Sequence, residues 1–354
     1  MTEIFLTIFF ISVLLFFLGS GIWVAISMIG VSAIGMMLFT SRPVGDAMAT
    51  TIWGTSSSWT LTALPLFVWM GEILFRTKLS ENLFKGLSPW MQKLPGGLIH
   101  VNIVGCALFA AISGSSAATV ATVGKMSIPE LRKRNYPEKI LLGSLAGSGT
   151  LGLLIPPSII LIIYGVAVQE SIAKLFIAGI IPGIMIALIF MSYVIIWSLI
   201  NKKEMPKILE EFSFLEKIKR SKQLLPVILL ILSVIGSIYT GIATATEAAS
   251  LGVVGALILS YFQKSLTLET FKSSLLGATK TSCMIAFILA GSTFLSLAMG
   301  FTGLPRNLAI WIQNMDLSPY VLIFVLMIFY IILGMFLDGI SAVVLTMAII
   351  EPMI

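Results

Sequence analysis

Residues 97–129 read GLIHVNIVGCALFAAISGSSAATVATVGKMSIP, and the placement of this stretch decides the fold. It is about 33 residues long, beyond the ~20 apolar residues of one bilayer crossing and short of two crossings with a turn. Lys125 is its one charge among Lys, Arg, Asp and Glu, and Ser-Gly-Ser-Ser, Ser113 to Ser116, stands at its centre. A segment that dips into the membrane, turns at the small residues and leaves by the face it entered has this length. Residues 97–129 are therefore expected to form a re-entrant hairpin.

The surrounding composition agrees with a membrane setting. The chain has 354 residues, 58% hydrophobic and 11% charged, where a soluble domain carries roughly a quarter charged residues. A soluble enzyme is excluded on that ground. Stretches without Lys, Arg, Asp or Glu run from Ile4 to Ser41, Leu94 to Gly124, Ile140 to Gln169, Leu175 to Asn201 and Thr281 to Pro305. Spans are predicted over 4–20, 22–40, 58–75, 140–168, 175–200, 223–240, 246–262 and 281–301. The first follows Glu3 without a positive leader or a small-residue cleavage site, so it reads as a retained span. Cys106 and Cys283 lie in apolar stretches and read as small core residues, with no disulfide or metal framework. The net charge of +6 sits in short loops, so the expected partner is the lipid bilayer and not nucleic acid.

Charge placement tests the hairpin, because cytoplasmic loops collect Lys and Arg. If 97–129 turns back, nineteen of the 22 Lys and Arg share one side, and Arg42, Lys174 and Arg306 take the other. As a full crossing the split falls to sixteen against six. The hairpin thus enters from the cytoplasm. The same count puts residues 303–318 outside, so a second apolar stretch, from about 320 onward, enters from the outer face and turns near Asp338 and Gly339. Two hairpins from opposite faces suggest inverted repeats, the usual construction of secondary transporters.

A fixed offset of 225 (339 − 114) aligns Gly30 with Gly255, Leu79 with Leu304, Asn82 with Asn307, Leu83 with Leu308, Gly114 with Gly339, Ser116 with Ser341 and Ala117 with Ala342. The expected organisation is a first repeat over 1–200, with its hairpin at 97–129 and a broken helix at 140–168. A cytoplasmic connector over 201–222 and a second repeat over 223–354 follow. Carried on, the offset puts the partner of 140–200 at roughly 365 to 425, so the second repeat reads as truncated within its hairpin. The connector mixes Lys and Glu and reads as interfacial and amphipathic.

Three places could carry chemistry. Around Gly114 to Thr119, GSSAAT, carbonyls ending one half-helix and the hydroxyls of Ser113, Ser115 and Ser116 suit a hard cation, while the next half-helix points its positive end there. A small-residue packing face is the plain alternative. Gly147 to Ser158, GSGTLGLLIPPS, cannot hold a continuous helix, since each proline removes a donor and Pro157 drives Pro156 from the helical region. Carbonyls near Gly149 and Thr150 would then face the hairpin tip; a mere proline kink is the alternative. Asp338, with Gly339 and Ser341, would form the symmetric cation site, or cap the returning helix. Thr244 and Glu247 fit a capping box. His100 reads as interfacial, and Glu72 as meeting water or Lys78. Arg306 follows Gly303-Leu304-Pro305 and could pair bidentately with a carboxylate; Ser158 and Thr119, from the two broken segments, are the further expected substrate contacts.

With these residues in view, the chain resembles the large membrane subunit of tripartite ATP-independent periplasmic (TRAP) transporters along essentially its whole length. The resemblance rests on GSSAATVATVG (Gly114 to Gly124), GLLIPPS (Gly152 to Ser158), TGIATATEAA (Thr240 to Ala249) and FLDGIS (Phe336 to Ser341). It implies an all-α, elevator-type sodium symporter of the bacterial inner membrane that takes up organic acids such as sialic acid or C4-dicarboxylates. It also implies two partners, a small four-helix membrane subunit and a periplasmic substrate-binding protein. No cofactor is expected beyond sodium as coupling ion. The rival readings are a single-component anion symporter with the same hairpins, an intramembrane hydrolase and a channel. The hydrolase lacks a base within reach of a serine, and opposed hairpins suit alternating access better than a pore.

Overall fold

Away from water every backbone N–H and C=O must be satisfied within the chain, and a helix does this locally. The computed structural model describes residues 3–77, 79–206, 212–222, 224–303, 305–307, 310, 314–315, 318–335 and 339–350, and among them the regular structure is helical throughout. The first half contains α1 (Glu3–Gly19), α2 (Val24–Phe39), α3 (Val44–Ser56), α4 (Ala63–Phe75), α5 (Leu79–Met91), α6 (Ile99–Ser113), α7 (Ser116–Lys133), α8 (Glu138–Gly149), α9 (Ile159–Ala167) and α10 (Ile172–Ile200). The second contains α11 (Phe214–Ser221), α12 (Leu225–Tyr239), α13 (Ala245–Phe262), α14 (Leu268–Thr302), α15 (Pro319–Gly334) and α16 (Gly339–Ile350). By length and composition α10, α13 and α14 can each cross a membrane as single helices. Side chains such as Ile181, Leu188, Tyr193 and Ile196 on α10, and Ile323, Phe324 and Ile331 on α15, stand exposed. Apolar faces of that extent are stable against lipid or another apolar partner, not against water.

Chain contacts divide the molecule into two units. One holds residues 1–61, 163–170 and 282–354, and the other 62–162 and 171–281. In the first, Met36, Phe294 and Ala298 are buried against Val44, Ala47 and Met48 of α3. Gly291 brings α14 onto α2, where an added Cβ would stand 2.8 Å from the Ala25 carbonyl oxygen. Ser292 Oγ donates to the Val344 carbonyl at 2.5 Å, tying α14 to α16.

In the second unit α4 buries Leu64, Phe67, Val68, Met70, Gly71, Ile73 and Leu74, and α13 lies along it with Gly252 beneath Met70. A capping box starts α13 as the spacing requires: the Thr244 N–H donates to Glu247 Oε2 at 2.8 Å, and the Glu247 N–H donates to Thr244 Oγ1 at 3.3 Å. A second one, Ser213 with Glu216, starts α11. The core joins Ile99, Ile103 and Ala110 of α6 to Ile140, Leu151 and Val194.

Four expectations need correction. His100 is fully buried and not interfacial; its ring nitrogen Nε2 lies 2.8 Å from the Pro95 carbonyl, which bends over it in the Pro95-Gly96-Gly97 turn. Glu72 pairs with Arg76 one turn on, and the guanidinium also donates to Ser273 Oγ at 3.0 Å; Lys78 lies outside the described residues. Cys106 is buried as expected, but Cys283 faces outward on α14. The span expected over 281–301 is the later part of a 35-residue helix, because Glu269, Lys272 and Lys280 all fall on exposed positions and leave Ser274 and Ala278 to the interior. Helices α3 and α5 lie between the predicted spans.

Gly71 sets how closely α4 approaches the 97–129 segment, since an added Cβ would stand 2.9 Å from Ser113 Cα and 3.2 Å from the Ile112 carbonyl oxygen. Gly71→Val should destabilise the purified protein by about 1–3 kcal/mol, read as a lower unfolding temperature in detergent. Gly143→Ala, where nothing lies within 4 Å, should leave that temperature unchanged or raise it. Equal effects at the two positions would refute the close approach.

Candidate functional site

The 97–129 segment is two helices joined by the shortest of turns. Helix α6 ends at Ser113, and Gly114 takes the left-handed conformation, φ +57°, with its N–H donating to the Ala110 carbonyl at 3.0 Å. An L-residue pays for that conformation, and glycine does not. Ser115 then caps α7, its Oγ accepting from the Ala118 N–H at 3.4 Å. Thr119 Oγ1 donates to the Ser115 carbonyl at 2.8 Å and lies 2.9 Å from Ser113 Oγ. The hydroxyls of Ser113, Ser115 and Thr119 are thus committed to closing the turn. Ser116 Oγ differs: it is buried and has no partner among the described residues, and a buried hydroxyl left so costs of order 1–3 kcal/mol.

Opposite the turn is the break in 140–168. Helix α8 stops at Gly149, a single 3-10 turn covers Thr150–Leu153, the Pro156–Pro157 peptide is cis, and α9 begins at Ile159. Ser158 spans the gap, donating from Oγ to the Leu153 carbonyl at 2.5 Å and accepting from the Leu161 N–H at 3.5 Å. Thr150 is exposed, its hydroxyl donating back to the Gly147 carbonyl at 2.7 Å.

Glycines let the two irregular segments touch. A Cβ on Gly152 would stand 3.1 Å from Ser115 C and Ser116 N, and one on Gly114 would stand 3.0 Å from Ile159 N and 3.1 Å from the Pro157 oxygen. Gly149 would strike Val120 of α7 and lies near the Ser116 carbonyl. Ser113, Gly114, Ser115, Ser116, Thr119, Gly149 and Ser158 therefore come together within one unit, with Thr150 at the rim. Such a cluster of carbonyls and an uncommitted hydroxyl suits a hard cation, while the positive N-terminal end of α7 favours an anion beside it.

The other predicted residues lie in the first unit. Gly339 opens α16 and Ser341 is buried within its first turn, while Asp338 lies outside the described residues. Arg306 is exposed in a helical turn after Gly303, φ +73°.

Two supports escaped the reading of the sequence. Gly179 and Gly183 on α10 pad the break, where added Cβ atoms would stand 2.8 Å from the Leu154 oxygen and 2.8 Å from Ile155 Cγ1. Their G-x-x-x-G spacing in an apolar helix was the available signal. Asn102, fully buried on α6, donates from Nδ2 to Ser144 Oγ at 3.1 Å and to the Leu141 carbonyl at 3.3 Å, and Ser148 Oγ donates to the Asn102 carbonyl at 3.4 Å. This network binds the first arm of the hairpin to α8.

The chain matches the family model described as the tripartite ATP-independent periplasmic transporter, DctM component, over residues 10–354. It is 33% identical over 317 residues to the C4-dicarboxylate TRAP transporter large permease protein DctM of Pseudomonas aeruginosa, covering 89% of this chain and 73% of that one. It is 31% identical to the sialic acid TRAP transporter large permease protein SiaM of Vibrio cholerae, covering 94% and 77%. It is 29% identical to the isethionate TRAP transporter permease protein DctMQ of Oleidesulfovibrio alaskensis, covering 96% and 53%. With the match running along nearly its whole length, the protein belongs to the DctM family, the large permease subunits of TRAP transporters, and is a multi-pass transport protein of the bacterial inner membrane and not an enzyme.

Proposed function

We propose that the protein drives sodium-coupled uptake of an organic acid anion of the C4-dicarboxylate or sialic acid class, moving as an elevator built from inverted repeats with two opposed re-entrant hairpins. The observation that carries this reading is the seating of the 113–116 turn against the 149–158 break, with Ser116 Oγ buried and unpartnered between them. Carbonyls at the end of α6, Ser116 Oγ and the backbone at Gly149 and Thr150 would ligate one sodium ion, with the Ser113 and Ser115 hydroxyls holding the turn that shapes the site. Asp338, Gly339 and Ser341 would form the matching site at the second hairpin. The repeat is supported by helix boundaries: shifted by 225, the 113–116 turn falls on 338–341, where α16 begins, and α1 and α2 fall on α12 and α13 to within a few residues. Each contact unit also takes the α1–α2 equivalents of one repeat and the hairpin of the other.

The names of the relatives point to carboxylate and sulfonate solutes, which favours anion-binding roles for Arg306 in the first unit and, separately, for Ser158 and Thr119 in the second. A small four-helix membrane subunit and a periplasmic binding protein complete the transporter in this reading. The DctMQ relative, of which the chain matches 53%, leaves length for a second component on one polypeptide.

Ser116→Ala removes the one tip hydroxyl that holds nothing in the folded chain. Folding should be unaffected, while the sodium concentration for half-maximal uptake should rise about fivefold to tenfold, the loss of one oxygen ligand worth ~1–1.4 kcal/mol. Reconstituted with its partners and a sodium gradient, a variant with wild-type sodium dependence would remove the hairpin tip from the ion site.

At Arg306, loss of a charge-assisted pair of roughly 1.5–3 kcal/mol should weaken apparent affinity for the acid about tenfold to a hundredfold in Arg306→Ala. Arg306→Lys should recover part of it, because a point charge cannot reproduce the two-pronged pairing. An unchanged half-saturation constant in Arg306→Ala would sink this role, and an effect that tracks binding-protein concentration would reassign the residue to docking.

A further inference from the structure

A second place in the fold has the make-up of a ligand site. Helix α3 lies with Val44, Ala47 and Met48 against the Met36, Phe294 and Ala298 cluster, and where its flank meets the end of α14 an open cleft of about 410 Å³ remains. One wall is polar, with Arg42, Asp46, Thr50 and Thr51, and Leu297 and Phe301 form an apolar floor. The Arg42 guanidinium carbon stands 5.3 Å from the centre of the Phe301 ring. Stacking engages the face of the guanidinium and leaves its N–H fork at the edge free to bind a carboxylate. No carboxylate of the described residues forms an ion pair with it, although Asp46 lines the same cleft. Opposite charges held apart in one cleft suit a ligand that carries both a carboxylate and a hydrogen-bond donor. Thr50 and Thr51 donate to the Asp46 and Ala47 carbonyls, each at 2.7 Å, and keep their lone pairs for a ligand hydroxyl. The charge distribution assigns Arg42 to the outer side of the membrane.

We propose that this cleft is an outward-facing capture site for a small carboxylic acid bearing a hydroxyl or ammonium group, with Arg42 holding the carboxylate and Asp46 accepting from the donor. It is built from other residues than the hairpin tip and shares with the uptake reading only the class of solute.

The test uses cells carrying the membrane components of the transporter, with and without the periplasmic binding protein, with Cys283→Ser to remove the exposed native thiol and Thr50→Cys to place a reporter in the cleft. Labelling by a membrane-impermeant maleimide is timed with L-malate, with succinate, and with neither. Malate should slow labelling about tenfold, the factor set by one charge-assisted pair, and succinate, without the hydroxyl, should slow it less. Arg42→Gln should abolish protection by both acids, and Asp46→Ala, which leaves no acceptor there, should erase the advantage of malate. Both residues are exposed, so neither change disturbs the interior. Gly45→Cys, in open space beside Arg42, is the second reporter if Thr50→Cys fails to reach the membrane. No labelling from outside, rates indifferent to both acids, protection that survives Arg42→Gln, or slowing only when a periplasmic binding protein is added would each overturn the proposal. Sodium dependence of uptake, measured in the same cells, separates the two ideas: protection without sodium dependence sinks the coupling alone, and sodium-driven uptake without protection sinks the capture site alone.

Discussion

Backbone that leaves the helical state inside an apolar shell has to find its hydrogen bonds close by, and everything around the hairpin turn is arranged to meet that requirement. The turn and the proline break are each incomplete. Ser115 caps α7, Thr119 takes up the Ser115 carbonyl, and Ser158 reaches across the break to the Leu153 carbonyl. These are short side chains bonding to nearby backbone, the one kind of partner that brings no bulk into a crowded place. Ser116 Oγ is the residue of that accounting, a polar atom enclosed without a partner.

The requirement extends to the surrounding helices. Two irregular segments can share their polar groups only if their backbones approach, so glycine occupies the contact at 114, 149 and 152, and again at 179 and 183 where α10 supports the break. Between helices in lipid there is little hydrophobic gain to be had, and close backbone packing with buried polar ties takes its place. Asn102 with Ser144 and Ser148 is such a tie, as is the Glu72–Arg76 pair with Ser273. The pair lies at the end of α4, where a charge can be kept only with its counter-ion beside it.

Much of this could be read from residue order. Long apolar stretches, the excess of Lys and Arg on one side, Gly114 with its serines and the Pro156–Pro157 pair carry local physics: a helix needs only its own residues, a left-handed turn needs glycine, and a proline pair ends a helix wherever it falls. The capping box at Thr244 and Glu247 was equally legible, because its partners are three residues apart. His100, Glu72 and Cys283 were misread for the opposite reason. Whether such a side chain is buried, paired or outward depends on which distant helix covers it, and neither charge nor periodicity encodes that neighbour.

The sequence by itself determined an all-helical membrane chain, a turn at 113–116 and a break near 150–158, since each follows from chain length, charge and backbone sterics within a few residues. Only the tertiary structure decided that turn and break meet through Gly114 and Gly152, that three of the tip hydroxyls are committed to the fold while Ser116 is not, and that Arg42 lies over the Phe301 ring in one cleft with Asp46. Those contacts join residues tens to hundreds of positions apart, and their distances are set by how glycine-lined helix faces pack, a property of pairs of surfaces that no single stretch of the chain contains.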